Sequence, residues 1–552
     1  MSIALVAITG LALSDALDLL EHRPGGTAFE ISERPVFMAL FAAGVLLALR
    51  WEIVGGIVSG FTASGLVVFA SQQLEPGSAT VVIAAFSVPA LLWILIDLND
   101  QRPRTALLGL LLAATAVVGG ALLADHLYGR LFGPTHPPSG AVVLPESAVQ
   151  WVWSGAVTQS SFSVAAKIDD EDDAGSVLLV IDRSAGFADP RRGDPVTVDE
   201  HGIARFDVAG LDPDTRYHYA VEIDGALDRT RAGVVRTFPV GPASFTVAIG
   251  SDARVGSNGA VFDAIRSLDP LLLYIVPGDF HYANIAEPER DEFEDVLDLT
   301  LSRPGPAALY RATPVAYVWD DHDFGGNGSG PWVKSAATAH ETYRRYVPHY
   351  PLAGSTSALY QAFTIGRVRF IITDGRSARS LTSAPDDAAK SMLGSQQRAW
   401  FERELLDADE KYPLIVWVNP VPWISESRPG ADDWGGYATE RAEIADFIAD
   451  NDIDGLVMLA GDAHMVAIDD GTNSDYSTGG GAAFPVMHAA ALDRPGEVKG
   501  GPYSEGAVPG GGQFGVLEVN DAGGSTIEVT LSGRDWRNAE LISHRFTVPV
   551  VG

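Results

Sequence analysis

"LLLYIVPGDFHYANI", residues 271–285, changes character in the middle. Leu271–Val276 is an unbroken apolar run of strand length, the pattern of a strand buried on both faces. At Pro277-Gly278 it stops, and Asp279, His281 and Tyr282 follow at once. The same change recurs along the second half of the chain. "SFTVAIGSDAR" (244–254) is a strand ending at Asp252. "PVAYVWDDHDF" (314–324) ends in Asp320, Asp321, His322 and Asp323. "PLIVWVNPVPW" (413–423) ends at Asn419, and "IDGLVMLAGDAH" (453–464) ends at Asp462 and His464. "SNGAVFDAIRSLDP" (257–270) lies between the first two as an amphipathic helix with a Ser or Asn cap. Five strands that each deliver polar residues at the C-terminal end predict an α/β fold with one site where those ends converge.

The chemistry of that site follows from its residue types. Three carboxylates packed around His322 repel one another unless a cation neutralises them. Hard oxygen donors with an imidazole suit Mg, Mn, Ca or ferric iron. Two or more such ions are therefore expected among Asp252, Asp279, Tyr282, Asp321, Asn419, Asp462 and His464. Taken singly, these residues have plainer explanations: a loop acid, a structural histidine, or an asparagine holding the turn before Pro420.

Composition narrows the class. The chain has 552 residues and no cysteine, which excludes disulfides and thiolate metal sites. A net charge of −33 disfavours nucleic acid as a partner. Lysine is scarce beside arginine, as in a salt-adapted or a GC-rich host. Residues 1–133 hold ten acids against six arginines, so −29 of the −33 lies beyond them.

That first part is expected to be a membrane domain of four or five transmembrane helices. Apolar runs at 35–49, 53–72, 79–96 and 105–124 approach the length a helix needs to cross a bilayer, and small residues recur within them. A buried helical bundle is the alternative. Residues 3–20 are apolar but carry Asp15 and Asp18, which suits either a fifth span or an interfacial helix. Arg50, Arg102 and Arg104 on the cytoplasmic side would place the C-terminal part outside the cell, anchored to an integral membrane segment.

Residues 139–240 show short alternating runs between turn-rich pieces, as in a β-sandwich. In "GLDPDTRYHYAVEIDG" (210–225) Tyr217, Tyr219 and Val221 share one face. The stretch resembles a fibronectin type III or immunoglobulin-like domain, where such a tyrosine anchors a corner. The late runs "QFGVLEV", "STIEVTLSG" and "SHRFTVPV" are expected to close a second sheet.

The order Asp252, "GDFHY", "DDHD", "VWVN", "GDAH" resembles the calcineurin-like metallophosphoesterases, and more closely the alkaline phosphatase D (PhoD-like) family. There WDDH stands for the superfamily's GNH motif and GDxH for its GHxH. "GDFHY" is the variant in which a tyrosine is a ligand, as in purple acid phosphatases. "YQAFTIGRVRFIITDGRSAR" (360–379), "LGSQQRAWFERELL" (393–406) and "DDWGGYATER" (432–441) add to the likeness. The resemblance implies a catalytic domain over 243–552 with two sheets between helix layers. It departs at position 252, where family members often have a cysteine ligand to iron, and at 254, where the superfamily's common histidine is Arg254.

Carried over, the resemblance implies hydrolysis of phosphate mono- or diesters by a metal-activated hydroxide. Asp279 would bridge two metals. Asp252, Tyr282 and His464 would complete one site, with Asp462 near it, and Asp321 with Asn419 the other. His322 would donate a proton to the leaving oxygen, and Asp323 would orient it. Arg254, Arg376 and Arg379 are candidates for binding the phosphate, with salt bridges as the alternative for each. The competing class is a non-catalytic membrane envelope or receptor protein on a degenerate metallohydrolase fold.

Overall fold

The computed structural model describes residues 139–550, apart from 170–174, 354–357, 495 and 497. The expected membrane domain over 1–133 lies outside the described residues, among which no helix is long and apolar enough to cross a membrane.

The chain begins with β1 (Val149–Gly155), β2 (Ser161–Ile168), β3 (Val177–Asp182), β4 (Arg191–Arg192), β5 (Ile203–Ala209), β6 (Arg216–Ile223), β7 (Ala226–Leu227) and β8 (Gly233–Arg236). Strands β1, β2 and β5 pair antiparallel, while β3, β4, β6, β7 and β8 form a small sheet of their own. Alternation along β6 puts Tyr217, Tyr219 and Val221 in the core, with Tyr219 6.0 Å from Phe162 of the facing sheet. The Tyr217 hydroxyl accepts the Asp212 N–H at 3.1 Å, which fixes the corner before the strand.

The three-stranded sheet does not end there. Gly155 pairs in parallel with Val315 of β11 (Val315–Val318), so the sheet runs on through β10 (Leu273–Pro277) and β9 (Phe245–Ile249). A Cβ at Gly155 would stand 2.6 Å from the Val315 carbonyl oxygen, so only glycine admits this junction. Beyond β9 lie β19 (Gln513–Asn520), β20 (Thr526–Asp535) and β21 (Glu540–Pro549), antiparallel. These late strands extend the first sheet rather than closing a second one, because Gly515–Val519 pair directly with the free edge of β9.

The second sheet contains β12 (Gln361–Ile365), β13 (Val368–Ile372), β14 (Leu414–Asn419), β15 (Leu456–Ala460), β16 (Met465–Asp469), β17 (Val486–Ala489) and β18 (Gly506–Pro509). Its strands β13, β14, β15 and β17 run parallel and are buried on both faces. One apolar core joins residues of both sheets, including Val247, Ile275, Phe370, Val416 and Phe514. Helices α1 (Ala260–Arg266), α2 (Arg290–Ser302) and α3 (Pro304–Ala312) pack their apolar faces into this core. Helices α6 (Gly394–Lys411) and α7 (Ala438–Asp450) cover the outer face of the second sheet, with Trp400, Phe401, Ile444 and Ile448 against Ile415, Trp417 and Met458. Between these groups come α4 (Asp321–Phe324) and α5 (Ala336–Tyr346).

Candidate metal centre

The five polar strand ends come from two sheets and meet around Gly461. A Cβ there would lie 2.6 Å from the Pro277 carbonyl oxygen, and 3.0 Å from both the Pro420 carbonyl and the Ser251 hydroxyl. Those three atoms belong to the segments carrying Asp279, Asn419 and Asp252. The approach requires glycine, and it brings Asp462 and His464 to the same place.

Asp252 (φ 63°), Asp279 (φ 51°), Asn284 (φ 57°), Asp462 (φ 58°) and His464 (φ 50°) all occupy the left-handed region. Non-glycine residues are uncommon there, and their concentration at one place marks a functional site.

Two sets of ligand atoms result. Asp252, Asp279 and His464 each offer one atom, all within 4.8 Å of one another, and so do Asp279, Asp321 and His322. Tyr282 belongs with the first set. Its hydroxyl donates to Asp252 Oδ1 at 2.6 Å and lies 2.9 Å from His464 Nε2, which is itself 2.9 Å from Asp252 Oδ1. Asp279 is common to both sets. Its Oδ2 is buried and finds no hydrogen-bond partner among the described residues. Burial, and then the charges of Asp321, Asp252, Asp320 and Asp323, push its carboxyl well above the ordinary range. A carboxylate in this position is stable as an anion only beside cations. The donors, hard oxygens with one imidazole per set, fit such ions.

His322 sits at the first turn of α4, with its N–H 2.9 Å from Asp321 Oδ1. Its Nδ1 is hydrogen-bonded to Asn284 Oδ1, and its Nε2 is 4.0 Å from Asp321 Oδ1. Burial lowers its pKa to about 4, against the opposing pull of Asp321. The expectation that Asp323 orients His322 is corrected. Asp323 instead accepts the N–H groups of Asp320 and His281, both at 3.1 Å, and so caps the start of α4. The short helix turns the carboxylate back onto the backbone, and Asn284 holds the imidazole.

Arg376 and Arg379 are buried in ion pairs, which is their salt-bridge alternative. Arg376 bonds Asp320 through Nε and Nη2 and reaches Asp432 through Nη1 at 2.7 Å, while Arg379 meets Asp432 at 2.9 Å. A fully buried guanidinium requires such carboxylates, so these two are committed to the scaffold rather than to a phosphate. Arg254 stays partly buried beside Asp252, its N–H bonded to Asp493 at 2.6 Å.

Asn419 is wholly buried at the end of β14. Its Nδ2 donates to the Val421 carbonyl and its Oδ1 accepts from Trp434 at 3.3 Å, leaving that oxygen a second lone pair. Asp462 is tied to Lys499, whose Nζ lies 3.1 Å from its carboxylate and 2.6 Å from its carbonyl oxygen. Burial raises the Asp462 carboxyl to about 7 even so.

Sequence reasoning missed Asn284, Lys499 and Arg494. Asn284 had a signal, since it closes the same polar loop as Asp279 and Tyr282. Arg494 and Lys499 lie in "LDRPGEVKG", which has no motif.

Residues 282–499 match the model of the PhoD-like phosphatase family. This segment is similar to PhoD-like phosphatases. The chain is 23% identical over 186 residues to alkaline phosphatase D of Bacillus subtilis (strain 168), a stretch covering 28% of this chain. It spans 32% of that relative's length. The likeness in fold extends further than the sequence match. A solved structure of PhoD superposes with a TM-score of 0.57 at 15% identity, over 73% of this chain and 92% of the other. The purple acid phosphatase PPD1 from yellow lupin (Lupinus luteus) seeds gives 0.51 at 13% identity, over 73% and 74%.

Proposed function

We propose that the chain is a metal-dependent phosphoesterase that hydrolyses phosphate mono- or diesters at the Asp279 centre. The observation that carries this reading is the position of Asp279. It is shared by two ligand sets, buried, and has one carboxylate oxygen without a partner among the described residues.

In this reading Asp279 would be shared by two cations. Asp252, Tyr282 and His464 would hold one, with Asp462 near it, and Asp321 with Asn419 would hold the other. Bound cations would supply Lewis acidity and water made acidic enough to attack at neutral pH. The chain's own residues do the rest. Asn284 fixes the His322 ring through Nδ1, and Nε2 lies 4.0 Å from Asp321 Oδ1. A phosphate ester there raises the proton affinity of the imidazole by its negative charge, and His322 then passes a proton to the leaving oxygen. The grouping of His322 with Asp279 and Asp321 favours a second role for it as a ligand, which the His322 substitution described below separates from proton transfer.

The anchoring of the enzyme is also a proposal. The apolar runs of residues 1–133 hold it in the bilayer, with the phosphoesterase outside the cytoplasm. Their length and the position of Arg50, Arg102 and Arg104 support this. Protease added to intact cells should cleave the C-terminal part; protection of that part reverses the orientation.

The test of activity is hydrolysis of p-nitrophenyl phosphate and of its bis-ester by the full chain purified in detergent, stripped of metal and reloaded with one ion at a time. Turnover that returns with a particular ion supports the reading. Inactivity with Ca, Fe, Mn and Mg, alone and in pairs, leaves the non-catalytic alternative.

A further inference from the structure

The rim of the site carries a side chain that the chemistry at its floor does not use. Trp151, Trp153, Trp319, Trp417, Trp423 and Trp434 are buried, whereas Trp332 is 43% exposed. An indole left in water forgoes the stabilisation that burying a large apolar ring brings. Its loop, which follows α4, is tied to the site. The Asp321 carbonyl oxygen accepts the Gly325 N–H at 2.9 Å, the Gly326 N–H at 2.8 Å and the Ser329 hydroxyl at 2.8 Å. Asp321 Oδ2 accepts the Gly328 N–H at 2.6 Å. The Ser329 carbonyl accepts from Arg376 Nη1 at 3.4 Å.

The same loop meets the holder of His322. A Cβ at Gly326 would lie 3.4 Å from Asn284 Cβ, and Asn284 Oδ1 is bonded to His322 Nδ1. The Val333 N–H returns to the Gly330 carbonyl at 3.0 Å. The indole folds back onto the turn so formed, since a Cβ at Gly330 would stand 2.5 Å from Trp332 Cη2. The ring is therefore held in place against the backbone. Arg494 and Lys499 close another part of the rim. The Arg494 guanidinium carbon lies 4.0 Å over the Tyr282 ring, and Lys499 Nζ donates to the Asp462 carbonyl oxygen at 2.6 Å. Val498, next to Lys499, is 49% exposed. The floor of the site is thus carboxylate and imidazole, while its edge offers a ring and an aliphatic side chain to whatever enters.

We propose that Trp332 binds the alcohol part of the substrate, and that this part carries a flat aromatic or heteroaromatic ring. This rests on the phosphoesterase reading above and adds to it the class of leaving group. The Trp332 loop touches Asp321 and the Asn284 that holds His322, the proton donor to the leaving oxygen. The indole and the leaving group therefore share one side of the site. An aromatic face stacks on flat rings of many kinds, so Trp332 selects a class of ester rather than one compound.

The test uses the full-length protein in detergent, stripped of metal and reloaded with Mn or with the ion that restores turnover. Naphthylethyl phosphate and ethyl phosphate are the substrates, because their leaving alcohols are similar in acidity. Naphthylmethylphosphonate and methylphosphonate are the ligands that resist hydrolysis. KM, kcat, phosphonate affinity by calorimetry and metal content are measured. Trp332→Ala should weaken KM and affinity for the naphthyl compounds by about 5–50-fold. The small compounds should change by less than about twofold, with metal retained, because they reach only the floor. Trp332→Phe keeps a ring and should recover most of the loss. Trp332→Leu, which keeps apolar bulk over Gly330 without the flat ring, replaces the Ala variant if that does not fold. Unchanged affinity for naphthylmethylphosphonate overturns the proposal. So does an equal loss for both phosphonates, which would make Trp332 a support for the Asp321 loop. A wild-type protein that binds naphthylmethylphosphonate through Trp332 but hydrolyses no ester would sink the phosphoesterase reading and leave the Trp332 contact standing.

Discussion

Arg376 and Asp320 form a doubly hydrogen-bonded ion pair with neither side chain exposed, directly beside Asp321. The Arg376 Nη2 also lies 3.9 Å from Asp321 Oδ2. Removing the arginine strands a buried carboxylate. Arg376→Met should therefore cost about 3–5 kcal/mol in denaturant unfolding. The paired change Arg376→Met with Asp320→Leu should recover much of this. A single substitution that costs under 1 kcal/mol would show that the pair does not hold the site.

Asp279→Asn should act in opposite directions with and without metal. In the stripped protein it removes a carboxylate crowded by four others, so the melting temperature should rise. In the loaded protein it loses a ligand to both ions, so stabilisation by added metal should fall. Asp321→Asn should lower metal content at one position only. Full metal content in both variants would contradict the ligand sets.

His322→Ala should keep most bound metal and lose rate by about 10²–10⁴-fold. The loss should be greater for alkyl phosphates than for p-nitrophenyl esters, whose leaving group departs without a proton. Asn284→Ala should show the same selectivity with a smaller loss, since it frees the ring but keeps it. Equal losses on both substrates, or loss of metal, would make His322 a ligand.

His340 gives a pH effect. Its ring is buried edge-on to Trp319 at 4.5 Å, and burial lowers its pKa to about 4. The unfolded chain takes up this proton near pH 6.5, before the folded one does. The residue costs nothing above about pH 6.5, and stability falls as pH drops from there towards 4, by up to about 2–3 kcal/mol. Unfolding measured across this range should show a shallower decline for His340→Gln. Parallel pH profiles would contradict the assignment.

The strands and the convergence of their ends were legible because each apolar run is short and stops at a polar cluster. The meeting of Asp252, Asp279 and Asp321 at one place follows from that alone. The late strands were placed in the wrong sheet because partner choice depends on the free edge of β9, which no local pattern encodes. The arginines misled for a related reason. Arg376 and Arg379 sit in a motif beside the site, yet their direction is set by Asp320 and Asp432, distant in sequence. Arg494 and Lys499 reach the centre through a loop with no periodicity.

The junction of Gly155 with Val315 bears on how the protein can be cut. Trp153, two residues before it, packs 5.8 Å from Phe280, the neighbour of Asp279, and donates its indole N–H to the Tyr346 carbonyl at 2.9 Å. A truncation starting at residue 243 would expose the flank of β11 as a bare edge, ready to pair with another molecule. It would also take away the indole on which the Asp279 loop rests. The β-sandwich is thus a side wall of the candidate site, and a fragment meant to keep that site intact has to begin before Val149.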